Sequence, residues 1–537
     1  MRRLFIPLLV AAVAELATGS LGRATSGTVR CVGGPQCYPT IQAALAAAND
    51  GDTIAIGRGT FAGGVTITKS VAIRGTGSHS TTISGGGPVL TIGTFGAVSE
   101  PTVSIDGVTI TGGLSTSSPE SVPFVGKPNV FAAGGGIEVP PADAFQPGAT
   151  VTITNSAIVG NRVAPTDTVP FGPPCPTGPC PFAGATGGGI DTWGALTVTD
   201  SVISGNAANG IASDAVGGAI ASHLAPLVMH NVRVTGNSAT AVAPNGRFAE
   251  GGGLFVQGGS LEITGSVFDQ NTASLTSGLP TLVNGQPIEM NANSGAIHVG
   301  DGVPTSIDST SITNNSVSAV DPVGEPLAFD SAVLINDSPL TMTSTTISGN
   351  SSSGVASTTA DVGSGGSALE VDGGGTISQS RIIGNPSRME TTDGPAAVNG
   401  GVAVLNFNND AQLLTIDHSV ISGNTAVAAS PTGSADAQGG GIFNNALLLL
   451  QYDVVANNSA VANASSGVAQ GGGIWNGVEL SGPPVELTLD HTTVAANRVD
   501  GSAGINLQGG GIFATTPVTL GSGAVVAGNK PDQCFGC

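Results

Sequence analysis

Leu196-Thr-Val-Thr-Asp-Ser-Val-Ile203-Ser-Gly-Asn206 is the stretch on which the reading of this chain turns. It returns as Leu340-Thr-Met-Thr-Ser-Thr-Thr-Ile347-Ser-Gly-Asn350 and as Leu414-Thr-Ile-Asp-His-Ser-Val-Ile421-Ser-Gly-Asn424. Within each copy apolar and polar residues alternate with period two and β-branched side chains dominate, which is strand chemistry. Eleven asparagines mark the repeat: Asn161, Asn206, Asn237, Asn271, Asn315, Asn350, Asn385, Asn424, Asn458, Asn497 and Asn529. Three residues before each stands an apolar residue, in all eleven cases; five residues before, eight of eleven are Ser or Thr. In a chain that is 40% hydrophobic, eleven of eleven is not chance.

A second anchor precedes each copy, a Gly-Gly-Gly-Ile-like entry such as Gly134–Ile137, Gly187–Ile190, Gly251–Leu254 and Gly471–Ile474. Each unit then offers three short strands, none long enough to bury its apolar face alone. Stacking the units in register buries those faces, and parallel crossovers are almost always right-handed. The expectation is an all-β chain: a right-handed, single-stranded parallel β-helix, a solenoid of one coil per unit. Ile203, Ile312, Ile382 and Ile421 should share one interior column. The segments after each Asn vary in length and are rich in Ala, Ser and Pro, so they are expected as a fringe of loops on one edge.

Around that repeat the chain divides by composition. Arg2 and Arg3 followed by the apolar run Leu4–Ala14 read as an export signal over residues 1–26. Residues 27–50 read as an N-terminal cap with one helix near Thr40–Asn49, residues 51–529 as the β-helix and 530–537 as a C-terminal cap. No second apolar run is long enough to span a membrane, so no transmembrane segment is expected after signal removal. Six cysteines fall in three local pairs, Cys31/Cys37, Cys175/Cys180 and Cys534/Cys537, read as disulfides of an exported, secreted or cell-surface bacterial protein.

Ile41-Gln-Ala-Ala, Gly51-Asp-Thr-Ile54 and Gly59-Thr60-Phe61 resemble the cap and first coil of pectin-lyase-like right-handed parallel β-helix proteins. The later Gly-Gly-Ala-Ile220 and Ile-Ser-Gly-Asn206 elements are similar to repeats of polymorphic outer-membrane adhesins and of exported bacterial β-helix proteins. The resemblance covers roughly residues 40 to 537 and implies the fold. That superfamily spans lyases, hydrolases, adhesins and structural proteins, so it does not imply one activity. The Asn-Thr-Asp, Asp-Asp and Gly-His patterns of polygalacturonase-type members do not match here, and neither does a repeating calcium nonapeptide. The C-terminal membrane barrel of the adhesins has no counterpart in the sequence.

Composition excludes more classes. Only 9% of the 537 residues are charged, and the formal charge is −21. A nucleic-acid or anionic-membrane partner would need the opposite sign. The glycine triplets open into strands, whereas phosphate cradles open into helices, so no nucleotide cofactor is expected. The Asn and Ser/Thr rows read as stacked ladders within the fold. No metal site and no cofactor is expected, and a monomer is.

Chemistry is sought in the residue after each entry Ile, because its side chain should point outward. These are Glu138, Asp191, Ala221, Phe255, His298, Ile335, Glu370, Phe443, Trp475 and Phe513, with the coil around Val402 unassigned. Two residues further on stand Trp193, His223, Gln257, Asp337 and Asp372. Asp191, Trp193 and His223, with Glu138 one coil away, form the candidate glycan-binding cluster, beside the long insertion Arg162–Thr186. Aromatics stack on sugar rings, and carboxylates accept hydroxyl hydrogen bonds or act as acid and base. The alternative is an outward row that packs under loops. Three functions follow: a surface β-helix that binds glycans without chemistry, a polysaccharide lyase or glycoside hydrolase, and a structural spacer. The acidic balance suits a neutral glycan better than a polyuronate.

Overall fold

A computed structural model describes residues 27–537, apart from 117–130, 144–145, 166–183, 211–213, 243–247, 278–281, 284–285, 288–289, 322–325, 329, 357–365, 399–400, 408–411 and 479–483. The Leu-x-Val strands form sheet 1, fifteen strands from Val29–Val32 to Val518–Leu520. The Ile-x-Gly strands form sheet 2, fourteen strands from Gly59–Ala62 to Val525–Ala527. The entry strands form sheet 5, fourteen strands from Val65–Ile67 to Cys534–Phe535. Each long sheet joins successive coils in parallel register, and the chain is a right-handed parallel β-helix.

The expected interior column is present. Ile203, Val234, Phe268, Ile312, Ile347, Ile382 and Ile421 pair coil to coil and are essentially inaccessible. The asparagines stand at the corner where sheet 2 ends. From Asn161 to Asn529 each Nδ2 donates to the Oδ1 of the next, as from Asn315 to Asn350 at 2.9 Å, and also to a main-chain carbonyl. Every one of these amides is buried and satisfied, which is what a ladder within the fold requires.

Two expectations need correction. Each full coil carries up to five strands, not three, and the described parts of the post-Asn segments form strands where a fringe of loops was expected. They run out as sheet 3, beginning at Leu114–Ser115, and return as sheet 4, beginning at Phe131–Ala133. In later coils one long strand such as Thr425–Gln438 makes both passages. The two passages enclose a second core built largely of alanine, including Ala239, Ala273, Ala426, Ala428, Ala460 and Ala462. Ala is a poor strand former in isolation, so its period-two alternation was hidden in a polar, Ala-rich composition. Its small side chain lets the two layers of this flange approach closely.

At the first coils, helix α1 (Ile41–Ala47) buries Ile41, Ala44 and Leu45 in the main core. Thr40 caps its start by accepting from the Ala43 N–H, and Lys69 Nζ donates to the carbonyls of Leu45 and Ala46 at its end. Arg30 pairs with Asp52 at 2.8 Å beside it. Cys31–Cys37 and Cys534–Cys537 are bonded; Cys175 and Cys180, like the export signal, lie outside the described residues. Among the described residues no helix is long and apolar enough to cross a membrane.

Candidate functional site

The outer face of sheet 5 is built by three columns of residues. The first is the outward ladder: Glu138, Asp191, Ala221, Phe255, His298, Leu334, Glu370, Leu405, Phe443, Trp475, Phe513 and Phe535 in unbroken parallel register. Two of its members differ from expectation. Val333, not Leu334, takes the entry-Ile position, so Leu334 faces outward and Ile335 is buried inward. Leu405 fills the coil left unassigned. The second column, two residues on, contains Trp193, His223, Gln257 and Asp372; Asn336 takes the place expected for Asp337, which sits one residue further along.

Asp191, Trp193 and His223 do come together. His223 Nε2 lies 3.3 Å from Asp191 Oδ1, and the Trp193 and His223 rings stack with centroids 4.4 Å apart. Glu138 pairs in register with Asp191. The cluster is not the exposed floor that was expected, however. Asp191 is 2% and His223 8% exposed, while Trp193, Glu138 and Phe255 remain half-buried. Asp191 and His223 therefore form an underlayer that fixes the indole. Phe255 continues the ring contacts to His298 at 5.2 Å. The insertion thought to flank the cluster lies mostly outside the described residues.

Toward the other end the ladder turns apolar. Phe443 stacks on Trp475 at 4.1 Å, Trp475 on Phe513 at 6.3 Å and Phe513 on Phe535 at 5.5 Å. Phe443, Trp475 and Phe513 are buried with Leu405 as a core of their own. They are packing, and offer no platform to a ligand.

The third column is the first residue of each glycine triplet. In nine of eleven coils it is glycine, as at Gly134, Gly187 and Gly251, with positive φ. A Cβ there would press on the ladder residue's own main chain; at Gly134 it would lie 2.7 Å from the Glu138 Cα. Ser294 (φ 56°) and Asp330 (φ 34°) are the exceptions, on adjacent coils. They alone carry a side chain at this position, and both side chains are buried.

Asp330, fully buried, accepts a hydrogen bond from Ser367 Oγ and lies within hydrogen-bonding reach of the Glu370 carboxyl, which also reaches Asp372. Burial is the first cause that pushes all three acids up, although Glu370 and Asp372 keep some accessible surface. Asp330 rises to about 7. Glu370 is raised well above the usual carboxylate range by burial and then by the Asp330 charge. Asp372 rises to about 10, through burial and then the charges of Glu370, Asp337 and Asp301. At neutral pH the trio thus holds protons that ordinary carboxylates have lost. Sequence reading named Glu370 and Asp372 but missed Asp330 and Ser367. The signal was there, an Asp-Ser-Ala-Val entry where its neighbours have Gly-Gly-Gly-Ile.

No protein-family model matches the chain, and no curated protein matches it. Among solved structures it is similar to a PL6 alginate lyase in complex with a trisaccharide. That pair shares 13% identity over 92% of this chain and 87% of the other, with a TM-score of 0.31. An alginate lyase in complex with G6 gives 14% identity, coverage of 97% and 90%, and a TM-score of 0.27. The A-module of the Azotobacter vinelandii mannuronan C-5 epimerase AlgE4 gives 10%, 92% and 94%, and 0.22. The likeness is one of fold.

Within this β-helix, two surface grooves lie away from sheet 5. One, of about 700 Å³, sits at the flange by Arg388, Asn463 and Ser502; the other, of about 520 Å³, lies over sheet 2 by Ser78, His79 and Asp200. Neither includes a ladder residue. Among the described residues no group of three or more His, Cys, Asp and Glu is arranged to hold a metal ion.

Proposed function

We propose that the protein binds a polysaccharide chain lengthwise along the outer face of sheet 5. The observation that carries this is the Asp191–His223–Trp193 unit: a half-buried indole held by stacking on an imidazole that is itself tied to a buried carboxylate. A fixed aromatic surface loses little conformational freedom on binding, and Phe255 repeats it two coils on. The coil rise of about 4.8 Å is close to the length of one pyranose ring, so successive coils meet successive sugars. The basic–apolar start and the two bonded cysteine pairs support export to the cell surface or beyond.

The experiment is glycan-array binding of the exported chain and its Trp193→Ala variant. The parent should bind a polysaccharide class, and Trp193→Ala should weaken it by about 1–3 kcal/mol. Binding unchanged in the variant, or absent in the parent, would reduce the cluster to packing and leave a structural spacer.

One observation favours a second reading, a carbohydrate-active enzyme. Glu370 stands between two other carboxyls, and burial raises it well above the usual carboxylate range, the direction a general acid needs. Release of new reducing ends by the parent, abolished in Glu370→Gln, would establish it.

A further inference from the structure

His418, Tyr452 and His491 form a row that neither the core nor the sheet 5 face uses. Each stands six residues before its repeat Asn, at the corner between sheets 1 and 2, on successive coils. The other eight units have Asn, Asp, Ser, Gln or Gly there. The corner is left-handed throughout, a backbone that a bulky ring tolerates poorly, and Tyr452 takes it at φ 56°. Packing does not demand the rings, since Tyr452 is 50% exposed and both histidine side chains are exposed with it. They stack on one another, with centroids 4.8 Å apart on each side of Tyr452. The row is a fixed ridge, and strain kept at an exposed position points to recognition. Apolar surface continues beside it. On the Tyr452 coil Leu447 and Leu449 face outward, Leu449 between Thr415 and Thr488, and Val454 is exposed.

The flange groove lies at the same height. Ala429, Asn463 and Ser502, which line it, each follow a ridge residue by eleven positions, so ridge and groove share their coils. The groove is about 700 Å³ and runs over the outer face of sheet 3, where Glu390, Ala429 and Asn463 follow in register. Ala429 is the smallest of these side chains, and the volume admits the exposed parts of the three rings. Charge is complementary as well. Asp417 and Asp490 flank the ridge, bonded to the Nδ1 of His418 and His491 at 2.8 and 3.0 Å. Arg388 in the groove is exposed and pairs with Glu390 on its own strand. A guanidinium has five N–H donors, so those left over can meet a further carboxylate.

We propose that the ridge of one copy docks in the flange groove of a second copy, laying the two β-helices side by side at equal height. Ridge and groove are different surfaces, so the contact is heterologous and repeats from copy to copy as an open row. Neither surface includes a residue of sheet 5, so the face assigned to polysaccharide stays free in every copy. A formal charge of −21 on each copy opposes the contact. The association is therefore weak, and the dilute chain remains the expected monomer.

The test is sedimentation velocity of the full exported chain, from micromolar to millimolar concentration, at pH 7 and physiological salt. The mean mass of the parent should rise with concentration past that of a pair. Tyr452→Ser, which restores a residue found at this corner in other coils, should weaken self-association about tenfold or more, the scale of one aromatic anchor. Ala429→Tyr, which fills the groove from an outward strand position, should do the same. Mixed in equal amounts, the two variants should pair one to one and grow no further. One brings an intact groove and the other an intact ridge, so pairing also shows that both are folded. A parent that stays monomeric throughout overturns the proposal. So does a mixture that fails to pair. Ala429→Tyr associating as the parent does overturns it too, because the contact would then be ridge against ridge.

Discussion

Asn350 Oδ1 accepts two hydrogen bonds from Asn315, one from the backbone N–H and one from Nδ2, both at 2.9 Å. Asn350 passes its own Nδ2 to Asn385 Oδ1 at 3.1 Å and to the Ile312 carbonyl at 3.0 Å. One side chain thus serves three coils at a corner closed to water.

Truncating that side chain should be expensive for its size. Asn350→Ala leaves the Asn315 N–H and one Asn315 amide hydrogen unpartnered in the interior and removes one hydrogen bond to the Ile312 carbonyl. We expect a loss of about 1–3 kcal/mol or more, read from the urea unfolding midpoint. A loss below about 0.5 kcal/mol would mean that water reaches the corner and that the ladder is not closed.

Asp453 stands where eight of the eleven units have Ser or Thr. It is 2% exposed, accepts from the Ser419 and Gln451 N–H groups, and burial lifts it to about 7. Because the folded value exceeds the unfolded one, the folded chain holds the extra proton between about pH 4 and 7, and stability must fall as pH rises through that window. Asp453→Ser, which restores the repeat, should flatten this part of the profile and raise the melting temperature at pH 8 more than at pH 4. An equal shift at both pH values would show that Asp453 does not titrate in that window.

Asp330 combines a left-handed backbone with a buried carboxyl held near neutrality. Asp330→Gly removes both costs, so it should stabilise the fold at pH 8 by about 1 kcal/mol or more. The gain should shrink as pH falls from about 7 toward 4, because the folded acid regains its proton first and the unfolded one follows only near pH 4. Thermal melts at the two pH values decide this, and destabilisation at pH 8 would mean that the Ser367 hydrogen bond outweighs the burial.

Trp475 and Trp193 should part company. Trp475 is buried between Phe443 and Phe513, and Trp475→Ala should cost about 3–5 kcal/mol of stability without altering glycan affinity. Trp193→Ala should do the reverse, with a small stability cost and a clear loss of binding. Affinity lost equally in both would move the ligand to the apolar end of the ladder.

The repeat determined the coil, the interior column and the corner asparagines, because these depend on which residue follows which at a spacing set by the chain itself. Ile203 had to lie inside once period two and unit length were known. The outward row was legible for the same reason, down to Glu370 and Asp372. Whether an outward residue meets solvent was not, since that depends on what packs over it from elsewhere in the coil. Asp191 and Phe443 hold equivalent ladder positions; one is buried in a polar cluster and the other in an aromatic stack. The alanine flange was hidden likewise, because small side chains become strand-forming only when a second layer lies close enough to pack on them. Asp330 shows the limit most directly. Its place in the repeat is written in the chain, but its contact with Glu370 exists only because the corner of one coil stacks beside the ladder of the next. Sequence spacing sets register, and burial, proton affinity and the shape of the face come from what register brings together.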